Sequence, residues 1–164
     1  MVVRRKQMAI KQGIVGVISD THGLVRPEAM AALKGVELII HGGDIGNVEV
    51  LHALGSIAPV YAIRGNNDRD PWARHLPDIL NLQINGVRLY VIHNVNELEV
   101  YPSAAGIHAV ISGHSHQPGI VNYGDVLFVN PGSAGPRRFK LPVTVGKLRL
   151  RQQMVAAETI DLKI

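Results

Sequence analysis

The chain has no cysteine among its 164 residues. Disulfide bridges, cysteine-ligated zinc sites and thiol nucleophiles are therefore excluded. Aromatic residues make up only 4% of the sequence, which disfavours a surface that stacks nucleic-acid bases. No apolar run reaches the roughly 18 residues of a membrane span, and the first residues do not have the pattern of a cleaved secretory signal. We therefore expect a cytoplasmic protein with neither a membrane nor a nucleic acid as its partner.

The composition is that of a globular protein. Hydrophobic residues make up 46% and charged residues 18% of the sequence, which separates it from disordered chains. The length favours a single domain over residues 1–164. The formal net charge of +4 comes partly from basic residues close to the start of the chain. Residues 1–12 are therefore predicted to form a flexible, basic N-terminal extension.

The first half of the chain alternates short β-rich and short helical segments. Pro27 and Gly35 are typical of the start and the end of a helix, and Asn47 is the candidate N-cap of the next one. Such alternation predicts a largely parallel sheet. Strands are predicted over 13–19, 36–40 and 59–63, and helices over 26–35 and 47–55.

The second half is rich in β structure. Asn85-Gly86 joins two β-rich runs and is a strong hairpin signal, and a second hairpin is predicted to turn at 123–125. A short helix is predicted around 102–106, a strand over 108–112 and further strands over 143–162. An α/β half followed by a β-rich half in one domain implies two sheets packed face to face with helices outside.

Residues that can bind a metal ion follow the predicted strands directly. Functional groups gather at such positions in α/β proteins. Asp20 and His22 follow the first strand, and in an extended backbone both side chains would point the same way. Taken singly, each candidate is more typical of a turn, a cap or a hydrogen-bonded histidine than of a ligand. The candidates are Asp20, His22, Asp44, Asn66, His93, His114 and His116.

It is the combination of these residues that indicates a metal centre. Carboxylates and imidazoles gathered at one sheet edge would be destabilised by desolvation and repulsion, and a bound cation removes that cost. Oxygen and imidazole ligands without sulfur suit Mn, Fe, Zn, Co or Ni. The sequence therefore predicts a transition-metal site at this edge.

The motifs around these residues resemble those of a known family. In chain order they are DTH, GGD, GNND, a histidine after an apolar strand, GHSH and NPGS. This order is similar to that of the calcineurin-like metallophosphoesterases, and most similar to their small single-domain prokaryotic phosphodiesterases, from about Ile14 to the end of the chain. The resemblance implies an α/β fold, a four-layer α-β-β-α sandwich of two mixed β-sheets flanked by helices.

The resemblance also implies two divalent transition-metal ions, with manganese as the expected metal. It assigns one ion to Asp20, His22 and His116 and the other to Asn66, His93 and His114. Asp44 would bridge the ions, since two cations so close together need a shared carboxylate between them. A hydroxide shared by the ions would attack phosphorus in line with the leaving oxygen. Asp44 and Asn66 are therefore expected to be catalytic.

Asn67 departs from the family pattern, because many relatives have a histidine at this position. Its amide can donate a hydrogen bond to a phosphate but cannot deliver a proton at neutral pH. We therefore expect Asn67 to be a catalytic and phosphate-binding residue that gives poor leaving groups little help. Asp68 is an alternative proton donor, although a structural turn residue is favoured. Arg64 and Arg137 are further candidates for phosphate contact, with a solvated surface position as the alternative.

The sequence thus predicts a metal-dependent phosphoesterase that acts on a small phosphorylated substrate. Phosphodiesters are the expected class, with phosphomonoesters left open, and a homo-oligomer is also left open. The competing function is a non-catalytic protein-interaction scaffold on the same fold, which is disfavoured because all seven candidate ligands are present. The remaining histidines are predicted to be structural or surface residues, with His41 packed beside the site. They are His41, His52, His75 and His108.

Overall fold

The computed structural model describes residues 4–164, which form eleven β-strands and two α-helices. The strands are β1 (Arg5–Met8), β2 (Ile14–Ile18), β3 (Leu38–His41), β4 (Val60–Ala62), β5 (Ile79–Ile84), β6 (Val87–Ile92), β7 (Ala109–Ile111), β8 (Gly119–Tyr123), β9 (Val126–Asn130), β10 (Thr144–Arg151) and β11 (Met154–Asp161). The helices are α1 (Pro27–Ala32) and α2 (Val48–Gly55).

One sheet has five strands in the order β11-β10-β2-β3-β4. Strands β2, β3 and β4 are parallel and are connected through α1 and α2, as the alternation in the first half predicts. Strand β10 pairs antiparallel with β2 on one side and with β11 on the other. Since β2, β3 and β4 run in the same direction, their carboxyl ends lie at one edge of the sheet.

The other sheet has six strands in the order β1-β5-β6-β7-β9-β8. Strands β5 and β6 form the hairpin predicted at Asn85-Gly86, where Asn85 has the positive φ of 50° that such a turn requires. Strands β8 and β9 form the second predicted hairpin. Strands β6, β7 and β9 are parallel, so β6 and β7 also end at a common edge.

The sheets pack face to face around a buried apolar core. Alternate residues of the central strands face this core, including Val15 and Val17 of β2 and Leu82 and Ile84 of β5. The intervening residues of the five-stranded sheet, such as Ile39, pack beneath the two helices in a second core. The predicted pair of mixed sheets with helices outside is confirmed.

Helices α1 and α2 cover the outer face of the five-stranded sheet, whereas a segment without an α-helix covers the outer face of the six-stranded sheet. Tyr90 and Ile92 of β6 belong to a third apolar cluster together with residues of the segment 94–107. This segment contains a short 3-10 helix, Val95–Glu97, followed by turns. The fourth layer of the sandwich is therefore built from turns and a 3-10 helix, and the short helix predicted around 102–106 is wrong.

The predicted flexible extension is wrong for Arg5–Met8, which form β1 and pair in parallel with β5. The Lys6 ammonium lies 4.5 Å from the centroid of the Tyr61 ring. Asn85 Oδ1 accepts from the Ile10 N–H at 2.9 Å, and Asn85 Nδ2 donates to the Ile10 carbonyl at 3.0 Å. These partners lie far along the chain, so local composition could not reveal them. Residues 1–3, also part of that prediction, lie outside the described residues.

Two local predictions about helices have different outcomes. Asn47 is confirmed as the N-cap of α2, because its Oδ1 accepts from the Val50 N–H at 3.3 Å. The helix predicted over 26–35 is confirmed only for its central part, Pro27–Ala32.

Within residues 4–164, no helix is long and apolar enough to cross a membrane. The cytoplasmic location stays a prediction.

Candidate metal centre

All seven candidate ligands stand just beyond the carboxyl ends of parallel strands. Because these strand ends from both sheets meet at one edge, side chains far apart in sequence come together. Two groups of carboxylates and imidazoles each have ligand atoms within 4.8 Å of one another, and Asp20 belongs to both. The groups are Asp20, His22 and His116, and Asp20, Asp44 and His93.

The first group joins the ends of β2 and β7. His22 Nε2 and His116 Nε2 lie 3.3 Å apart, and His116 Nε2 lies 3.4 Å from Asp20 Oδ1. Asp20 and His116 are buried, whereas His22 is partly exposed. Two imidazole nitrogens and a carboxylate oxygen that converge in this way form a three-sided cation site with an open face.

The second group joins the ends of β3 and β6. His93 Nε2 lies 3.4 Å from Asp44 Oδ2 and 3.9 Å from Asp20 Oδ1. On the other side of its ring, His93 Nδ1 donates to the Gly42 carbonyl at 2.7 Å. That bond fixes a proton on Nδ1, so Nε2, which faces the carboxylates, is the nitrogen that would bind a metal ion.

Asn66 and His114 extend the second group toward solvent. Asn66 Oδ1 lies 3.2 Å from His114 Nδ1, and the rings of His114 and His93 meet edge to face with 5.2 Å between their centroids. Both Asn66 and His114 are exposed. The structure therefore brings all seven predicted residues to one place, with a buried side and a solvent-facing side.

Asp44 stands between the two groups. Its Oδ2 lies 3.4 Å from His93 Nε2 and 3.9 Å from His22 Nε2. The Asn67 N–H donates to Asp44 Oδ1 at 2.9 Å, and Asn67 Nδ2 donates to Oδ2 at 3.0 Å. Asn67 therefore contacts the central carboxylate through both its backbone and its side chain.

Five of the seven residues have a left-handed backbone, which the sequence reasoning missed. The expectation that Asp20 and His22 lie in an extended segment is wrong, because their φ angles are 55° and 47°. Non-glycine residues rarely adopt positive φ, and such strain persists where surrounding contacts enforce it. The same region contains Asp44 (54°), His114 (70°) and His116 (62°). Sharp turns after the strands, and not strand alternation, aim these side chains at a common point.

Two glycines allow these turns to approach one another. A Cβ on Gly65 would collide with the carboxylate and backbone of Asp44. A Cβ on Gly113 would collide with the side chains of Ser19 and Asp20. The glycines of the GNND and GHSH motifs thus make room for the two buried carboxylates.

His41 is packed beside the site, as predicted, and it stabilises the turn that carries Asp44. Its Nδ1 accepts from the Gly43 N–H at 3.1 Å, and its Nε2 lies 2.9 Å from Thr21 Oγ1. The Thr21 hydroxyl in turn donates to the Ile45 carbonyl at 2.8 Å. Complete burial, together with the nearby His93, lowers the pKa of His41 to about 3. A neutral imidazole protonated on Nε2 satisfies all of these contacts.

Asp68 fixes the loops that follow β3 and β4. Its buried carboxylate accepts hydrogen bonds from the N–H groups of Ile45 (3.0 Å), Gly46 (3.1 Å) and Gly65 (2.8 Å). A buried carboxylate that accepts from three backbone donors has a structural role. The favoured prediction for Asp68, a structural turn residue, agrees with these contacts.

The buried atoms that face the centre fit a bound cation. Asp20 Oδ2 accepts from the Ser19 hydroxyl at 2.8 Å and from the His114 N–H at 3.1 Å. Asp20 Oδ1 and His93 Nε2, by contrast, are buried without a hydrogen-bond partner among the residues that the structure describes. Buried polar atoms are almost always satisfied, so these two acceptors indicate a missing positive partner.

The acid–base properties of the two carboxylates support the same interpretation. Burial raises the pKa of the Asp20 carboxyl, and the Ser19 hydroxyl and nearby imidazoles oppose this only in part. Burial acts in the same direction on Asp44, but the approach of His93 and the Asn67 N–H outweigh it, so the Asp44 pKa lies below its ordinary value. A cation beside Asp20 would remove the cost of its buried charge.

The two candidate arginines have other partners. Arg64 Nε donates to Asp78 at 3.1 Å, and an Arg137 guanidinium nitrogen donates to the carbonyl of Ile164 at 2.7 Å. After burial, the charge of Arg138 is the next cause that lowers the pKa of His116. The sequence signal for Arg138 is only its position next to Arg137 after the NPGS motif.

Comparisons with known proteins agree with this geometry. A family model described as the calcineurin-like phosphoesterase superfamily domain matches residues 14–153. A probable metallophosphoesterase of Methanothermobacter thermautotrophicus is 36% identical over 163 residues, which cover 90% of this chain and 91% of that protein. A protein of Methanocaldococcus jannaschii named as a phosphodiesterase is 27% identical over 137 residues, with 72% of this chain and 82% of that protein covered.

Among solved structures, the fold is similar to that of Vps29 from Entamoeba histolytica in complex with Zn²⁺. The two share a TM-score of 0.70 at 20% identity, with 92% of this chain and 99% of the other covered. At this identity the likeness concerns the fold, and it matches the predicted two-sheet sandwich. The family model and the archaeal relative together show that the chain belongs to the calcineurin-like phosphoesterase superfamily and is a hydrolase that acts on phosphate esters.

Proposed function

We propose that the protein hydrolyses phosphodiesters with two divalent metal ions at this centre. The observation that carries the proposal is the position of Asp44, whose Oδ2 lies between His22 Nε2 at 3.9 Å and His93 Nε2 at 3.4 Å. These imidazoles belong to different groups of candidate ligands. One carboxylate placed between two imidazole-lined groups is the arrangement that a pair of neighbouring cations requires.

The residues divide between the two ions as the family resemblance implies. One ion would be held by Asp20, His22 and His116, the other by Asn66, His93 and His114, and Asp44 would be shared. When bound, two such ions lower the pKa of a water molecule and neutralise charge on the phosphoryl oxygens. Manganese is the proposed metal, since oxygen and imidazole ligands without sulfur suit it.

The protein's own residues position these ligands. The Gly42 carbonyl orients His93 through Nδ1, and Asn67 holds both oxygens of Asp44. His41 and Asp68 fix the turns that carry Asp44 and Asn66. Because Asn66 and His114 are exposed, a phosphate ester can approach the centre from that side. A small phosphorylated substrate therefore fits this site.

Phosphodiesters are proposed as the class because of the 27% identical relative that is named as a phosphodiesterase. The competing function is a protein-interaction scaffold on the same fold. One observation favours this scaffold function: the side chains of Ile120, Val121 and Tyr123 are exposed on the edge strand β8. The complete set of ligands and the unpartnered acceptors on Asp20 and His93 support the enzyme, because a scaffold has no use for either.

A reconstitution assay tests the proposal. Metal-stripped protein should be inactive, and addition of Mn²⁺ should restore hydrolysis of bis(4-nitrophenyl) phosphate more than of 4-nitrophenyl phosphate. The same addition should raise the melting temperature, because ions that bind only the folded state stabilise it. Asp20→Asn should lose both effects. Full activity of the stripped protein would contradict the metal dependence, and no activity with any divalent metal would leave the scaffold as the better explanation.

A further inference from the structure

A cleft of about 870 Å³ opens beside the candidate metal centre. Its lining includes Asn66, His93 and His114, so the cleft and the centre are continuous. A volume of this size accommodates a drug-sized molecule and exceeds what a phosphate group needs. The cleft can therefore hold an organic group that is attached to the phosphate.

One part of the cleft wall is apolar. Ile79, Tyr90 and Ile92 contribute from the outer face of the six-stranded sheet. Leu98 and Val100 contribute from the segment that covers this face. Apolar walls favour the burial of a carbon chain.

The charge of the cleft is negative. Arg64 and Asp78 offset one another, since Nε of Arg64 donates to Asp78 Oδ1 at 3.1 Å and a terminal guanidinium nitrogen lies 3.0 Å from the same oxygen. Glu97 and Glu99 also line the cleft, and neither takes part in an ion pair within residues 4–164. Two carboxylates are therefore left without a positive partner.

A buried acceptor lies among these groups. Asn81 of β5 stands opposite Tyr90 of β6 and lines the cleft. Its Oδ1 is buried without a hydrogen-bond partner in the part of the chain that the structure describes. Burial raises the pKa of the Tyr90 phenol, and the Glu99 carboxylate raises it further. Asn81 Oδ1 and the carboxylates of the two glutamates are three acceptors of the cleft.

We propose that this cleft binds one alcohol substituent of the phosphodiester and selects a substituent that carries an ammonium group on a short apolar chain. The proposal rests on the proposed function. Asn81 Oδ1 accepts a hydrogen bond from the ammonium group, Glu97 and Glu99 attract its charge, and the apolar walls cover the chain. The same two carboxylates repel additional phosphate groups, so polyphosphorylated substrates and oligonucleotides are disfavoured.

Two substrates of nearly equal size test this selection in the Mn²⁺-loaded protein. They are the 2-aminoethyl and the propyl diesters of 4-nitrophenyl phosphate, in which an ammonium group replaces a methyl group. In both, water adds to phosphorus, the bond to 4-nitrophenolate breaks, and the alkyl group stays on the phosphate product. We expect kcat/KM to be about three- to tenfold higher for the aminoethyl ester, because exposed carboxylates attract a cation only modestly.

Substitutions in the cleft test whether its glutamates cause the preference for the aminoethyl ester. The double variant Glu97→Gln/Glu99→Gln should bring the ratio close to one, with kcat/KM for the propyl ester within about twofold of wild type. Glu158→Gln, which removes an exposed carboxylate on β11 of the other sheet, should keep the wild-type ratio. A wild-type ratio of one or less, or a ratio that persists in the double variant, overturns the proposal.

A binding measurement separates this proposal from the proposed function. The aminoethyl and propyl esters of 4-nitrobenzylphosphonate cannot release the nitrobenzyl group by P–O cleavage, and calorimetry can compare their affinities for wild type and the double variant. If neither diester is hydrolysed, the proposed function fails, and these affinities alone decide the selection. Equal affinity of the two phosphonates for wild type contradicts the selection, whatever the activity.

Discussion

Asn67 holds the Asp44 carboxylate at both oxygens, with its backbone N–H 2.9 Å from Oδ1 and its side-chain Nδ2 3.0 Å from Oδ2. The side-chain contact shows that the Asn67 amide, which cannot deliver a proton at neutral pH, can instead hold Asp44 in position. It also means that Asn67 contacts the carboxylate that we propose to be shared by the two ions. A change at Asn67 should therefore alter metal binding as well as turnover.

Removal of the Asn67 amide should weaken the centre. We expect Asn67→Ala to lower kcat/KM with a diester substrate, and the affinity for Mn²⁺, by about 10- to 100-fold, which is typical for loss of a hydrogen bond to a metal ligand. The backbone N–H bond to Oδ1 remains in this variant, so the fold should be kept. Metal titration followed by kinetics measures both effects.

Asn122→Ala is the matched control, because Asn122 is an exposed asparagine on β8. It should leave both constants unchanged. Unchanged metal affinity in Asn67→Ala would show that the contact to Asp44 does not position the carboxylate.

Asp44→Ala should be among the most damaging single changes, since it removes the ligand proposed to be shared by both ions. Its activity should fall by at least about 10³-fold, because both ions lose a ligand at once. His52→Ala alters an exposed histidine of α2, so its turnover should stay within a few-fold of wild type. Steady-state kinetics of the two purified variants provide the comparison. Equal losses would show that Asp44 does not occupy a shared position.

Much of this architecture follows from local signals in the sequence. The Asn85-Gly86 hairpin and the Asn47 cap depend on backbone preferences of the residues themselves, so short motifs predict them. The gathering of seven ligands follows from their places after strands, because parallel strands end at a common edge.

Features that depend on distant contacts were not predictable from local pattern. The pairing of β1 depends on β5 and on Asn85, which bonds Ile10 at a separation of 75 residues. The left-handed φ of Asp20 is enforced by contacts with neighbouring turns, such as the bond from its N–H to the Gly43 carbonyl at 3.0 Å. The predicted phosphate contact of Arg137 could not take account of the Ile164 carbonyl, to which its guanidinium donates at 2.7 Å although the two residues lie 27 positions apart.

Glu37 should make the stability of the fold depend on pH. Its carboxylate accepts hydrogen bonds from the N–H groups of Lys11 (2.6 Å), Gln12 (2.8 Å) and Ile14 (3.1 Å). These bonds hold the connection between β1 and β2 in place. Slight burial alone would raise the pKa of Glu37, but these bonds outweigh it, so the pKa lies below its ordinary value. The carboxylate therefore stabilises the fold above its unfolded-state pKa, and this contribution is lost as pH falls through the lowered pKa.

Urea denaturation at several pH values measures this effect. Glu37→Gln should lower the midpoint at pH 7, and the difference from wild type should shrink below about pH 4, where the wild-type carboxylate also becomes protonated in the unfolded chain. Glu158→Gln, an exposed carboxylate on β11, should not show this pH-dependent difference. A constant difference between pH 7 and pH 3 would show that the ionised carboxylate is not responsible.

The leaving group should control the rate of the proposed diester hydrolysis, because the residues best placed to protonate it have other partners. The Asn67 amide donates to Asp44, and the Asp68 carboxylate accepts from three backbone N–H groups. General acid catalysis is typically worth about 10²–10⁴-fold, so diesters with alkyl leaving groups should react slower than aryl diesters by at least that range.

A series of diesters with leaving groups of graded pKa measures this dependence, under single-turnover conditions so that product release does not limit the rate. Wild type should show a steep fall in rate as the leaving-group pKa rises. Asn67→His should flatten the slope, since an imidazole can supply a proton near neutral pH. The same variant should lower the rate with aryl diesters, because it loses the side-chain bond to Asp44. Asn67→Ala should share that loss without the flatter slope, which separates proton delivery from the positioning of Asp44. A slope in wild type that does not depend on leaving-group pKa would show that another group donates the proton.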